Sequence, residues 1–184
     1  MQAIAEGCRR GSIPAEAALV ISNNADSMAL SRAAAAGIPH MHLSAKSLGS
    51  EEALAEKLLA VLAENRIDMI FLAGYMRMLH VSVLEKYAGR VFNIHPALLP
   101  KYGGRGMYGM NVHRAVIAAG EAESGVTIHR VSAEYDSGEI VAQTTVPVMP
   151  GDTPETLAAR VLEREHTFLV EVISQICAGK IPLG

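Results

Sequence analysis

Apolar residues along the chain gather into short unbroken runs separated by stretches with helical spacing. Ala17 to Ser22 is one such run, closed by Asn23-Asn24, and it predicts a strand. Helix formers fill Ala25 to Ala36 and stop at Gly37. Ile38 to Leu43 predicts a second strand and Glu51 to Asn65 a long amphipathic helix. The run Asp68 to Tyr75, with Ile67 before it, predicts a buried strand of the parallel type. A helix over Val81 to Tyr87 then leads to a strand over Val91 to His95. Strand and helix alternate throughout this half, which predicts a three-layer, doubly wound, mostly parallel α/β sheet of Rossmann-like type, covered by helices on both faces.

The pattern changes after Pro100. Gly125 to Val131 and Ile140 to Val148 read as strands with no helix between them, so they should pair as antiparallel neighbours. A helix beginning near Asn111 precedes them. Thr153-Pro154-Glu155 supplies an N-cap and a first-turn proline for a closing helix to about Ala178, terminated by Gly179. Residues 1–184 are therefore expected to form a single domain, and no repeat or linker interrupts them.

Bulk properties narrow the function classes. The formal net charge is −3 and no block of like charge occurs, which argues against a nucleic-acid surface. The longest apolar stretches are strand-sized and the amino end lacks a signal-peptide pattern, so neither a membrane nor export is expected. Cys8 and Cys177 stand in no metal or redox spacing, which suits a reducing compartment; the expected location is cytoplasmic.

Chemistry concentrates in Asn93-Ile94-His95-Pro96-Ala97-Leu98-Leu99-Pro100. Strand alternation sends Asn93 and His95 to one face and Ile94 to the other. Pro96 and Pro100 donate no backbone N–H, so the strand should end at His95 and pass into an irregular loop at the carboxyl edge of the sheet, where open α/β folds bind ligands. Read alone, the pair is either a capping amide beside a satisfied histidine or two donors converging on a reacting carbonyl. Asp136, in the turn-prone segment Glu134 to Gly138, is a carboxylate that such a turn can aim. His40 and His42 share a strand face, but two ligands make no metal site. His129 reads as packing beside the site. The stretch Gly103 to Gly109 lacks a phosphate-loop lysine pattern and reads as a flap.

Taken in order, Gly74-Tyr75-Met76-Arg77-Met78-Leu79, then Asn93-x-His95-Pro96-x-Leu98-Leu99-Pro100, then Asp136-x-Gly138, the chain resembles the folate-dependent formyltransferases from Met1 to the closing helix. The resemblance implies direct transfer of a formyl group from the co-substrate 10-formyltetrahydrofolate to the amine of glycinamide ribonucleotide, with no metal and no covalent enzyme intermediate. It implies catalytic roles for Asn93, His95 and Asp136, with Asp136 favouring the charged form of His95. Folate contacts would come from Met76, Arg77, Met78, Leu79 and Asn93, and from the loop Ser132, Ala133, Glu134, Tyr135 and Asp136. Leu162, Glu163, Arg164 and Glu165 would face the nucleotide substrate. Small-molecule substrates, neither nucleic acid nor membrane, and a monomer or homodimer complete the implied partners. Within the same superfamily, a formyltetrahydrofolate hydrolase uses similar residues but lets water attack, and a methionyl-transfer-RNA formyltransferase would carry an RNA-binding domain. A catalytically silent folate-binding module is the reading from another class.

One departure stands out. Family members open with a strand and a Gly-Ser-Asn phosphate loop, and the next helix often begins Leu-Gln-Ala-Ile, whereas this chain begins Met1-Gln2-Ala3-Ile4. By that comparison the first strand and the phosphate loop are expected to be missing, through either a start downstream of the true one or a genuine short form. Strand edges and apolar surface should then lie uncovered. Ser50-Glu51 also departs from relatives that carry an arginine near the folate tail.

Overall fold

The computed structural model describes residues 1–183. Its elements run α1 (Gln2–Arg9), β1 (Val20–Ser22), α2 (Met28–Ala35), β2 (His40–His42), α3 (Ala45–Leu48), α4 (Glu51–Glu64), β3 (Ile70–Leu72), α5 (Val81–Lys86), β4 (Val91–His95), α6 (Met110–Ala118), β5 (Glu123–Arg130), β6 (Ile140–Pro147) and α7 (Pro154–Cys177). The side chains of Ser27, Ser50 and Thr153 cap α2, α4 and α7 by accepting the backbone N–H groups of Leu30, Ala53 and Thr156. Helix α3 is an addition to the sequence expectation. It is a single turn held by a reciprocal Ser44–Ser47 capping box, too short to leave a periodic signal.

β1 and β2 are parallel, as are β3 and β4, and β5 lies antiparallel to both β4 and β6. This is the expected Rossmann-like arrangement with antiparallel carboxyl-terminal strands and a closing helix. The sheet is nevertheless divided: β1–β2 form one piece and β3–β4–β5–β6 another. Three residues each pair in β1, β2 and β3, fewer than the apolar runs predicted. The cause is that β1 and β3 are laddered on one side only, so no second neighbour extends their extended backbone. A cleft of about 860 Å³ separates them.

Two apolar clusters flank the four-stranded piece. Phe92, Ile94, Val126 and Ile128 pack beneath α6 and α7 on one face, while Val91 joins Leu79, Val83 and Tyr87 beneath α4 and α5 on the other. Phe71 and Phe92, directly opposite in the β3–β4 ladder, stack with ring centroids 5.2 Å apart. Phe92 is fully buried and anchors the strand that carries Asn93 and His95.

Candidate active site

β4 presents Asn93 and His95 on one face, as the alternation requires, and β5 meets them in register. Asn93 lies opposite His129 and His95 opposite Thr127. The Nδ1 of His129 is 2.8 Å from the Arg130 carbonyl oxygen. A carbonyl can only accept, so Nδ1 carries the proton, and Nε2 of the neutral ring accepts from the Asn93 Nδ2–H at 3.1 Å. This bond fixes which end of the Asn93 amide is the donor and leaves its second N–H for another acceptor. A register shift between Ile128 and His129 accompanies the pairing, and such a bulge re-aims the side chain beside it.

His95 is held from its far side. Its Nε2–H donates to the Tyr102 carbonyl at 2.7 Å, which leaves Nδ1 as the nitrogen facing the site. That Nδ1 is 3.5 Å from Asp136 Oδ2, and His129 Nε2 is 3.5 Å from Asp136 Oδ1, so one carboxylate spans two imidazoles. The Gly104 N–H also donates to Asp136 Oδ2 at 2.9 Å. Burial alone would raise the Asp136 carboxyl, but the neighbouring His129 ring, the Gly104 N–H and the His95 ring together hold it below the ordinary aspartate value. Burial pushes the His95 imidazole below the ordinary histidine value, with Asp136 and the Tyr102 carbonyl opposing it. Asp136 thus favours the charged form of His95, as expected, but burial outweighs it. Desolvation of a ring only 3% exposed outweighs a carboxylate 3.5 Å away.

Local backbone makes this approach possible. Asp136 has φ 53°, in the left-handed region that aspartate tolerates better than most residues. Gly103 lets the loop lie against it: a Cβ there would stand 2.5 Å from Leu99 Cδ2 and 3.2 Å from Asp136 Cβ. At Gly138 a Cβ would overlap the Arg130 carbonyl, so the turn closes only with glycine.

Several supporting residues carry no signal in the sequence reading. Thr127 Oγ1 accepts the Leu99 N–H at 3.1 Å and donates to the Ala97 carbonyl at 2.6 Å, tying the proline-rich loop to β5. Gln143, on β6, donates to the Leu99 carbonyl and to Thr127 Oγ1, both at 2.9 Å. Tyr102 is pinned by its hydroxyl, 2.8 Å from Glu121, which also pairs with Lys101. His129 moves from packing residue to partner of both Asn93 and Asp136. The spacing Thr127-x-His129 mirrors Asn93-x-His95, yet only the β4–β5 register reveals that the two faces meet. His113, on α6, is buried with its Nδ1 unpartnered, and burial and nearby His95 lower its pKa.

The remaining candidates divide. In the segment after β3, Met76 and Met78 are 60% and 41% exposed, while Leu79 is buried in the α4–α5 cluster. Arg77 pairs with Glu51 at 3.6 Å, so the departure at Ser50-Glu51 places a carboxylate beside it. In the loop 132–136, Ser132 Oγ accepts the Glu134 N–H and meets Ser137, folding the segment so that Tyr135 stays exposed. On α7, Leu162 and Glu163 are exposed. Arg164 turns away toward β6, bound to Thr144 at 3.0 Å and to Glu171 at 2.9 and 3.0 Å. Glu165 looks elsewhere: burial raises its carboxyl, and the Met1 ammonium is the charge that opposes this. The sequence candidates thus meet as one group at Asn93, His95 and Asp136, while Arg164 is engaged on the outer face. His40 is exposed and bonds its own strand through Ile38. Among the described residues, no three histidine, cysteine, aspartate or glutamate side chains cluster as a metal site.

Comparison with known proteins points to one family. The family model described as formyl transferase matches residues 1–173. A chloroplastic phosphoribosylglycinamide formyltransferase of Arabidopsis thaliana is 42% identical over 97% of the chain, which spans 61% of that relative's length. The phosphoribosylglycinamide formyltransferase of Haemophilus influenzae is 38% identical over 100% of the chain and is itself covered to 84%. The crystal structure of glycinamide ribonucleotide transformylase 1 from Symbiobacterium toebii superposes with a TM-score of 0.89 at 38% identity, over 97% of this chain and 82% of that one.

Proposed function

The chain belongs to the formyl transferase family, and on that premise we propose that it transfers the formyl group of 10-formyltetrahydrofolate to the primary amine of glycinamide ribonucleotide. The observation that carries the proposal is the convergence of Asn93, His95, His129 and Asp136 at the carboxyl end of β4. When the amine attacks the formyl carbon, negative charge builds on the formyl oxygen, and donors already fixed there lower the barrier. The free N–H of the Asn93 amide is one such donor, held in orientation by His129. His95 can reach the same oxygen only through Nδ1, because Nε2 is committed to Tyr102. A neutral ring acquires its second proton from the attacking amine, by way of Asp136, as the oxyanion forms, and gives it back as the tetrahedral intermediate collapses. Asp136, ionised and beside both rings, takes the proton that the amine loses and passes it through water toward the leaving folate nitrogen.

Met76 and Met78 suit the apolar faces of the pterin, and the loop 132–136 closes over it, with Ala133 and Glu134 offering backbone groups to its polar edge. Glu165 is the hydroxyl partner for the ribose. The two free thiols suit a reducing compartment and hence the cytoplasm. Incubation of the purified chain with formyl-folate and glycinamide ribonucleotide tests the reading. Formation of the N-formyl product supports it, formate release without product assigns a hydrolase instead, and binding without turnover assigns a silent folate-binding module.

A further inference from the structure

The loop that follows β4 holds both members of the His95–Asp136 pair from one short stretch. The Tyr102 carbonyl accepts the His95 Nε2–H at 2.7 Å, and two residues further on the Gly104 N–H donates to Asp136 Oδ2 at 2.9 Å. The position of this stretch therefore sets how the ring and the carboxylate, 3.5 Å apart, meet. Tyr102 does not rest there unaided. Its φ is 57°, in the left-handed region that a residue with a side chain enters at a cost, so the peptide relaxes unless something holds it.

The hold comes from the far end of α6. The Tyr102 hydroxyl donates to Glu121 Oε1 at 2.8 Å, and Lys101 Nζ reaches the same oxygen at 2.8 Å. Both bonds favour the ionised carboxylate and keep Glu121 below the ordinary glutamate value. Glu121 itself is rigidly mounted. Helix α6 ends in left-handed Gly120, whose N–H bonds the Ile117 carbonyl while the Glu121 N–H reaches back to the Val116 carbonyl at 3.4 Å, the paired bonds of a Schellman end. Val116 is fully buried, and the next carbonyl, that of Ala122, accepts the Val148 N–H at 2.9 Å. The mount thus joins α6 to the segment leaving β6.

We propose that Glu121 is a positioning residue for formyl transfer: acting through the Tyr102 hydroxyl, it keeps the Tyr102 carbonyl on His95 Nε2 and so reserves Nδ1 for the reacting groups. The chemistry of the ring shows why this matters. A neutral imidazole carries one proton, which settles on the nitrogen that has the better acceptor. With the carbonyl in place, that nitrogen is Nε2. If the carbonyl drifts away, the Asp136 carboxylate beside Nδ1 becomes the better acceptor and the proton moves there. The nitrogen that must receive a proton during the reaction is then already occupied, and the ring can take up no second proton from the site.

The role rests on the formyl-transfer reading, but the ring can be followed without substrate. With isotope-labelled histidine, NMR tracks the ring nitrogens of His95 through a pH titration, together with those of His129 from β5 and His113 from α6, which face it along with Asp136 from the turn after β5. Tyr102→Phe removes the hydroxyl and keeps the ring packed on the large apolar cluster. Glu121→Ala removes the acceptor, whereas Glu121→Gln retains a side-chain oxygen for the hydroxyl. The parent and the Gln variant are expected to carry the His95 proton on Nε2. In the Phe and Ala variants a second population protonated on Nδ1 is expected, and the His95 titration midpoint falls by about half a pH unit, the weight of one carbonyl bond. Their kcat falls by the fraction of rings lost, about threefold or more, with KM unchanged. The Tyr102→Phe/Glu121→Ala double variant should be no worse than either alone. An unchanged His95 ring in the Phe and Ala variants would overturn the proposal, as would a Gln variant that behaves like the Ala variant, which would place the effect in the charge of Glu121. A parent chain without turnover whose ring responds as expected would overturn the formyl-transfer reading and leave the hold of Glu121 on His95 standing.

Discussion

The two pieces of the sheet share strand chemistry and differ in what surrounds it. β4 is laddered by β3 and β5, its five residues are almost all buried, and its polar pair is held by partners on every side. β1 has the same kind of apolar sequence, but one neighbour and a cleft, and its paired length shrinks to three residues. An apolar run sets the potential for a strand; a second neighbour converts it into a rigid platform. Catalytic candidates sit where that conversion is complete. The segment Gly74–Leu79, proposed above to meet the pterin, sits at the border between the two regimes.

Substitutions can test the contrast. The largest effect is expected at the rigid platform: Asp136→Asn should lower formyl transfer by roughly 10²–10⁴-fold, typical for loss of a proton-transfer group, with unchanged circular dichroism. Asn93→Ala should cost roughly 10²–10³-fold in kcat, as for loss of an oxyanion donor, with KM little altered. For stability, Phe92→Ala should cost about 3–5 kcal/mol in chemical denaturation, because a fully buried ring leaves a cavity. Ile21→Ala, beside the cleft, should cost about 1 kcal/mol. Similar values for the two would erase the distinction between the pieces. Thr127→Val should cost about 1–3 kcal/mol by stranding the Leu99 N–H and Gln143.

The smallest effect concerns pH. His95 and His113 both have folded pKa values below the ordinary histidine value, so the fold prefers them neutral. Their contribution is complete above the unfolded pKa, near 6.5, and declines as pH falls through it toward the lower folded values. Melting temperature should therefore drop on acidification from pH 7, and His113→Leu should make that slope shallower. A slope unaltered by the substitution would remove His113 from the acid response.

Much of this arrangement is legible in the sequence because it is local. Asn93-x-His95 shares a face by alternation, Pro96 ends the strand, and Thr153-Pro154 starts α7, each within a few residues. What escapes is set by register between distant segments. Thr127 and His129 acquire their roles only because β5 lies antiparallel to β4 at one particular offset, and Gln143 and Tyr102 only through the loop they hold. The protonation preference of His95 escapes for a different reason: charge pairs can be guessed from residue types, whereas desolvation depends on packing density. Arg164 and Glu165 are neighbours in sequence but about 100° apart around a helix, so one faces β6 while the other faces the amino end.

The left-handed backbone at Asp136 makes this position its own control. Asparagine is the neutral residue that shares aspartate's tolerance for positive φ and matches its size. Replacing one by the other removes a charge while leaving the turn free to keep its shape. Alanine or glutamate would instead alter conformation and chemistry together, so a loss of turnover in those variants has two readings. Asn at 136 has one.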